Sequence, residues 1–287
     1  MPVKKVVETT AIKPPINKFK TAPNKIDVCL PDKANIIAEN LSDYTWLIYG
    51  ERKIGKTKLF SEFKNPFFFM FDPLNKGLAI KQIHIPNWLF FRKAVDMLHK
   101  KIEGDPGYCD IVIIDTGFMC YERCYQYMMG KLGITDPQDK AWGSAWKEIG
   151  REFMEAHDKI FELDRGFGVT AHTAMVEVKR RDGSTYTKLT TQLGSQAFKF
   201  YNGLVDVIAY YQYNAENKRE LSIQGDSLIE AGARIDEHFF YTNGNPIAHV
   251  PMGKNSKEAY KNLELAFNNK LIEPVKKEVK KLAKKIN

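Results

Sequence analysis

The fold class is decided by Gly50-Glu51-Arg52-Lys53-Ile54-Gly55-Lys56-Thr57. This stretch matches the pattern G-x-x-x-x-G-K-[ST], whose glycines let the backbone wrap around a phosphate while loop N–H groups point at the anion. In such a loop the lysine reaches the β- and γ-phosphates and the final hydroxyl ligates Mg²⁺. The pattern therefore predicts a site for a nucleoside triphosphate, ATP, with Mg²⁺. We expect it to comprise Gly50 to Thr57 and the following Lys58, with Lys56 on the phosphates and Thr57 on the metal.

The residues on both sides of this loop have the composition that the site requires. Residues 44–49 (YTWLIY) are rich in aromatic and β-branched side chains, which favours a short strand. The segment KLFSEF after the loop favours a helix. A glycine turn that matches the pattern by accident is the alternative, and the strand–loop–helix order disfavours it.

A P-loop site also needs an acidic residue near the metal ion. Asp115 follows the apolar run 111–114 (IVII) and lies 59 residues after Lys56. An aspartate at the end of a buried strand holds Mg²⁺ in P-loop NTPases. The run alone is weak evidence, but together with the upstream loop it predicts that Asp115 is a metal-site residue.

The remaining pattern predicts an α/β fold with a mostly parallel sheet, helices on both faces and antiparallel hairpin additions. The segment AMVEVKRRDGSTYTKLT alternates in side-chain character on both sides of Asp182-Gly183, which indicates a hairpin with its turn at these two residues. The other predicted elements are strands at 66–71, 111–115, 167–172, 204–213 and 219–224, and helices at 88–102, 117–131, 141–164 and 256–269.

Charge divides the chain into three parts. The net charge is +8, of which residues 1–25 and residues 270–287 each carry +5, so the remainder carries −2. We expect a basic flexible arm and lead-in at 1–40, one ATP-binding domain at 41–255, and a helical basic tail at 256–287. The tail either docks its apolar stripe on the domain or binds phosphates or an acidic partner peptide.

The composition excludes several classes of protein. The longest apolar run is FFFMF at 67–71, which is too short to span a bilayer, and the N-terminus lacks the apolar core of a signal peptide. We therefore expect a cytoplasmic protein without a membrane partner. Cys29, Cys109, Cys120 and Cys124 contain no CxxC pair, so buried reduced thiols are expected.

The chain resembles the phage-encoded RecA-like nucleotide-binding proteins, including the Sak-four single-strand annealing group. The resemblance covers about residues 46–213 and is carried by LIYGERKIGKT, FFFMFDP, DIVIIDT, GVTAHT, VEVKRRDG and LVDVIAYY. It implies a RecA-type P-loop NTPase core that acts on single-stranded DNA in annealing or strand exchange, within the infected bacterial cell. It also implies a homo-oligomer, either a ring or a filament.

The resemblance assigns roles to residues after the P-loop. His172 matches the polar γ-phosphate sensor of RecA relatives, although a strand-end histidine with a purely structural role is the alternative. Residues 173–192 match a DNA-binding loop, in which Tyr186 would stack on a base. The basic residues that would contact its phosphates are Lys179, Arg180, Arg181 and Lys188. An exposed hairpin with ordinary surface charges is the alternative there.

One departure from the family concerns hydrolysis. The family pattern Asp-x-Glu after the second strand reads Asp72-Pro73-Leu74 here, so either Asp72 orients the attacking water or turnover is slow. RecA relatives also place a cation of the neighbouring subunit on the γ-phosphate, for which Arg234 and Lys254 are candidates; surface charge is the alternative for both.

Three other functions are compatible with the sequence. An AAA+-like helicase loader or replication accessory ATPase is disfavoured because Thr116, not Glu, follows Asp115. A P-loop kinase would carry an arginine-rich lid, and KRRDG fits a hairpin better. A scaffold that binds ATP without hydrolysing it is favoured by the missing glutamate. The basic tail has two expected partners, DNA or the acidic tail of a single-strand DNA-binding protein.

Overall fold

The computed structural model describes residues 34, 37–140 and 143–274. The chain forms two units, Met1–Ile37 and Ala38–Asn287, and every element below belongs to the second. The predicted N-terminal arm falls almost wholly outside the described residues, as does the predicted tail helix after residue 274, so both stay predictions.

Six α-helices and ten strands form the described part of the chain. The helices are α1 (Lys56–Phe60), α2 (Trp88–Gly104), α3 (Gly117–Leu132), α4 (Ser144–Phe161), α5 (Ser195–Leu204) and α6 (Ser256–Phe267). The strands are β1 (Thr45–Gly50), β2 (Pro66–Met70), β3 (Lys81–His84), β4 (Ile111–Asp115), β5 (Gly166–Lys179), β6 (Thr185–Thr191), β7 (Val207–Tyr213), β8 (Arg219–Ser222), β9 (Gly232–Ala233) and β10 (His249–Pro251).

The strands form one mixed sheet in the order β10-β8-β7-β1-β5-β4-β2-β3, with β6 added to β5 and β9 to β7. The pairs from β7 to β3 in this order are parallel, whereas β8, β10, β6 and β9 are antiparallel additions. The P-loop strand β1 is therefore central, and β5 separates it from the strand that ends in Asp115. This arrangement confirms the predicted α/β fold class, a mostly parallel sheet with antiparallel additions.

The register of the parallel strands brings the predicted site residues to one edge of the sheet. Gly50 at the end of β1 pairs with His172 of β5, and Met70 at the end of β2 pairs with Asp115 of β4. Because parallel strands point the same way, their carboxyl ends form a common edge, which is where open α/β sheets bind ligands.

Alternate side chains of the sheet pack against two different layers of helices. On one face, Leu47, Phe69 and Val112 join a core that includes buried residues of α2, α3, α4 and α5. On the other face, Trp46 and Ile113 join a core with α1 and α6. The near-continuous apolar runs of β1, β2 and β4 reflect this burial on both faces.

Two parts of the sequence prediction are wrong. The strand predicted at 204–213 begins only at Val207, because α5 occupies Ser195–Leu204. The strand predicted to end at His172 continues to Lys179, since its second half pairs with β6. The short strands β3, β9 and β10 were not predicted at all.

Three of the four cysteines lie in the part of the chain that the structure describes. Cys109, Cys120 and Cys124 are buried and free, while Cys29 lies outside the described residues. None of the described helices is long and apolar enough to cross a membrane.

Candidate nucleotide site

The loop between β1 and α1 depends on its two glycines. A Cβ on Gly50 would lie 2.2 Å from the carbonyl oxygen of Tyr211 on the adjacent strand, so no side chain fits there. Gly55 has φ = 118°, a left-handed backbone that disfavours other residues. The sequence folds locally into a tight loop because glycine stands where the chain approaches β7 and where the backbone reverses.

The Lys56 ammonium lies in this loop. It donates hydrogen bonds to the carbonyl oxygens of Gly50 (2.9 Å) and Glu51 (2.8 Å). Burial lowers the pKa of Lys56 to about 8, and the nearby Arg52 acts in the same direction. Among the described residues Lys56 has no ion-pair partner within 4 Å, so its charge is available to an anionic ligand.

Thr57 and Asp115 are brought into direct contact. The Thr57 hydroxyl donates a hydrogen bond of 2.8 Å to Oδ2 of Asp115, and the Thr170 hydroxyl donates to Oδ1. Asp115 is only 6% exposed, and this burial raises its pKa despite the two hydroxyl donors. The peptide bond between Asp115 and Thr116 is cis.

These oxygens fit a magnesium ion. Mg²⁺ keeps several waters and is held by one or two protein oxygens plus the phosphates of its nucleotide. A dedicated cage is therefore not needed, and no cluster of three or more metal-binding side chains occurs in the part of the chain that the structure describes. Thr57 and Asp115 are the residues that would hold the ion.

A cleft of about 750 Å³ opens above this contact. Its walls include residues of the P-loop and of the segment 72–76, the end of β4, and His172 in the middle of β5. Asp72 and Asp115 are the only acidic residues among the described residues that line it. The cleft thus has Asp72 where the resemblance leads one to expect a water-orienting carboxylate, and it has no glutamate.

His172 stands at the boundary between the cleft and the rest of β5. Its side chain is partly buried and lines the cleft, and its Nδ1 lies 3.5 Å from the Lys56 ammonium. Burial lowers the pKa of His172, and the charges of Lys56 and Arg52 lower it further. The imidazole is therefore neutral at pH 7 and can accept or donate a hydrogen bond in the cleft.

The hairpin predicted to bind DNA is built on the same strand. Residues 173–179 of β5 pair with β6 from Thr191 to Thr185, and the turn lies at Asp182-Gly183. Lys179, Arg180 and Arg181 are exposed. The Arg180 guanidinium lies 4.6 Å from the centre of the Tyr186 ring.

Lys188 differs from the other basic residues of the hairpin. Its ammonium forms a close ion pair with the carboxylate of Glu230, which lies outside the hairpin. The structure therefore groups Arg180 with Tyr186 at the tip and ties Lys188 to the body of the domain.

The two residues predicted to act on a neighbouring subunit lie outside the cleft of their own chain. Arg234 donates hydrogen bonds of 3.0 Å to the carbonyl oxygens of Asn202 and Gly203 at the end of α5. The backbone N–H of Arg234 also donates to the carbonyl oxygen of Asp206, whose carboxylate accepts from Thr45 at the start of β1. Arg234 therefore lies at the end of the sheet opposite the P-loop. Lys254 is exposed just before α6.

Sequence reasoning missed several residues of the site, including Lys76 and Arg219, which line the cleft, and Thr170, which donates to Asp115. Arg219 is the first residue of β8, and its side chain lines the cleft beside Gly55. No sequence motif identifies Arg219, because its position at the cleft depends on antiparallel pairing between β7 and β8. Basic residues in a short strand after a hairpin turn are too common to signal a site.

Comparisons with known proteins give one family match. A family model described as an AAA domain matches residues 42–235, which is more than half of the chain. Among solved structures, a KaiC-like protein from the hyperthermophilic archaeon Pyrococcus horikoshii matches with a TM-score of 0.39 and 12% identity, over 73% of this chain and 90% of that chain. A search of curated proteins gave no match.

Proposed function

The chain belongs to the AAA domain family of P-loop NTPases, and on this premise we propose that it is a RecA-like ATPase that acts on single-stranded DNA. ATP and Mg²⁺ occupy the cleft at the P-loop and Asp115, and the hairpin of β5 and β6 binds the DNA. The reaction is annealing or strand exchange in phage recombination or replication, as in the Sak-four group that the sequence resembles. The protein works as a ring or filament in the cytoplasm of the infected cell.

The observation that supports the proposal best is the continuity of β5. The same strand contributes Thr170 to Asp115, His172 to the cleft and residues 173–179 to the hairpin. A hydrogen-bonded strand is stiff, so a shift of its middle part at the cleft displaces the hairpin as well. The geometry therefore supports a link between nucleotide state and the surface that contacts DNA.

The hairpin has the chemistry of a sequence-independent DNA contact. Cations bind backbone phosphates, and aromatic rings stack on bases of any sequence. Arg180 and Tyr186 offer both groups side by side. The exposed Met175, at 75%, adds apolar surface farther down the same hairpin.

Each cleft residue has a role that its position supports. Bound Mg²⁺ neutralises charge on the phosphates, and Thr57 and Asp115 hold it in place. Lys56 places its charge on the phosphate oxygens, and Asp72 is the remaining carboxylate that can orient water. His172 senses the end of the phosphate chain. Without a glutamate we expect slow turnover.

The test is ATP hydrolysis with and without a single-stranded oligonucleotide, beside Lys56→Ala as a control. We expect slow hydrolysis that DNA stimulates and that the variant loses. Binding of the same oligonucleotide, followed by fluorescence anisotropy, should weaken as salt rises. Absence of ATP binding in the unaltered protein would refute the proposal, and DNA binding that is absent at low salt would refute its DNA part.

A second candidate is a scaffold that needs ATP for its shape only. It is favoured by one observation, the absence of a glutamate among the described residues that line the cleft. Tight ATP binding without hydrolysis, in the presence or absence of DNA, would select this function. An AAA+-like loader would hydrolyse ATP but require a helicase partner for stimulation.

The partners of the basic tail form a further part of the proposal. Deletion of residues 270–287 should weaken binding either to DNA or to the acidic tail of a single-strand DNA-binding protein. Measuring both affinities for the shortened and the full chain identifies the partner. Unchanged affinities would remove the tail from both roles.

A further inference from the structure

Arg219 is held firmly at the wall of the nucleotide cleft. It pairs with Tyr213 across the β7–β8 hairpin, and its carbonyl oxygen accepts a hydrogen bond of 2.9 Å from the backbone N–H of Met252. Neighbours on both sides therefore fix the backbone from which the side chain extends. An arginine on a fixed backbone is better preorganised than one on a free loop.

The guanidinium of Arg219 points at the P-loop. Its Nη1 lies 3.5 Å from the position that a Cβ of Gly55 would occupy, and its Nη2 donates a hydrogen bond of 3.0 Å to the carbonyl oxygen of Gly253. The hydroxyl of Tyr211 lies on the same side of Gly55. The side chain thus lies directly beside the loop that would cradle the phosphates.

This cation has no counter-ion in the described part of the chain. No described carboxylate lies within ion-pair distance of Arg219, although its side chain is partly buried. A guanidinium carries five N–H donors, and the one hydrogen bond to Gly253 leaves most of them free. Lys56 likewise bonds only to neutral groups. Arg219 and Lys56 are two of the five described cations that line the cleft, and such a cleft is suited to a ligand with several anionic oxygens.

We propose that Arg219 binds the phosphate chain of the nucleotide that occupies its own subunit. The inference rests on the proposed ATP binding and adds a residue that neither the P-loop pattern nor the family resemblance assigns. It also changes how the site is completed, because a cation from the same chain reaches the phosphates without a neighbour. The interaction with Gly253 sets the orientation of the guanidinium before the ligand arrives.

The test measures binding of ATP and of inorganic tripolyphosphate to the full chain by calorimetry. Arg219→Gln removes the charge but keeps an N–H donor for the carbonyl of Gly253. Lys218→Gln is the matched control, since Lys218 is exposed and pairs only with Glu216. Thermal melting without ligand verifies that each variant is folded.

We expect Arg219→Gln to weaken both ligands by roughly tenfold to a hundredfold, the usual effect of one charge-assisted hydrogen bond. Lys218→Gln should change neither affinity by more than about twofold. If Arg219→Gln weakens ATP but not tripolyphosphate, the side chain contacts the base or ribose and the inference is wrong. Unchanged binding of both ligands also overturns it, whereas failure of the unaltered protein to bind ATP refutes the proposed function instead.

A mixing experiment separates action within a subunit from action on a neighbour. Lys56→Ala and Arg219→Gln proteins are combined at equal concentrations, and ATP affinity is measured again. If Arg219 serves the neighbouring subunit, mixed interfaces contain one intact lysine with one intact arginine and recover tight binding. We expect no recovery, and recovery would overturn the assignment to the same chain.

Discussion

The side-chain nitrogen of Lys56 lies 3.5 Å from Nδ1 of His172. Lys56 is the first residue of α1, directly after the loop that follows β1, and His172 ends the part of β5 that pairs with β1. A phosphate that enters the loop competes with the carbonyls of Gly50 and Glu51 for the ammonium. Binding of a nucleotide therefore changes the charge environment that His172 meets at the base of the hairpin.

The first prediction concerns pH. Since only the protonated ammonium attracts phosphate and burial lowers the pKa of Lys56 to about 8, ATP affinity should fall as pH rises through that value. We expect a loss of about tenfold for each pH unit above it. Titration of ATP affinity between mildly acidic and alkaline pH checks this. Lys56→Arg, whose guanidinium stays charged, should give a flatter profile, and an equally steep one would contradict the assignment.

The second prediction concerns Asp115, whose substitution should have opposite effects on stability and on metal binding. Burial raises the pKa of Asp115 in the folded protein, so its ionised form costs stability, and that cost grows as pH rises through the raised pKa. At pH 7, Asp115→Asn should therefore melt a few degrees higher than the unaltered protein when no ligand is present.

The same variant should lose the increase in melting temperature that Mg²⁺ and ATP give to the unaltered protein, since a neutral amide is a poor ligand for Mg²⁺. Asp158→Asn, an exposed change on α4, is the control and should alter neither quantity. A ligand-free Asp115→Asn protein that is less stable at pH 7 would contradict the argument from burial.

The third prediction distinguishes the residues of the hairpin. Tyr186→Ala should weaken binding of single-stranded DNA by about 1–3 kcal/mol, the usual value of one stacked base. Arg180→Ala should weaken it and lower the salt dependence by about 0.7 in the log–log slope, the share of one phosphate contact on a single strand. Fluorescence anisotropy over a salt series measures both quantities.

Lys188 should contribute less to DNA binding because its ammonium is already paired with the carboxylate of Glu230. Lys188→Ala should cost less affinity than Arg180→Ala, and Glu230→Gln should increase affinity by freeing the lysine. If Lys188→Ala lowers DNA affinity more than Arg180→Ala or Tyr186→Ala does, DNA lies along the base of the hairpin rather than its tip.

The fourth prediction concerns the helices that cover one face of the sheet. The buried carboxylate of Glu152 on α4 accepts hydrogen bonds from Nε1 of Trp88 (2.9 Å) and from Arg92 (2.8 Å), both on α2. Lys131 of α3 lies 3.9 Å from its other oxygen. Glu152→Ala should cost about 3 kcal/mol, because it leaves Trp88 and Arg92 without their acceptor.

Denaturant unfolding measures this loss, and the Glu155→Ala variant is a suitable control since Glu155 is exposed on the same helix. A loss below about 1 kcal/mol for Glu152→Ala would show that water replaces the carboxylate.

The sequence predicted the parts of the site that depend on local chemistry. The P-loop and Asp115 are recognisable because glycines, a lysine and a strand-end acid stand in fixed local order. Helix α5 was missed because aromatic residues such as Phe198 and Tyr201 have high strand propensity, and their helical state depends on packing against α3 and α4. Arg219 was missed because it lies far from the P-loop in sequence and reaches the cleft only through the pairing of β7 with β8.

The paired base of the hairpin has a consequence for how such proteins diversify. Thr173 and Thr191 fix where the two strands leave the sheet, while the turn at Asp182-Gly183 is exposed and contacts little else. Insertions and substitutions at such an exposed tip are tolerated without cost to the core. Changes at the tip can therefore alter what the hairpin contacts while the nucleotide cleft and the core keep their structure.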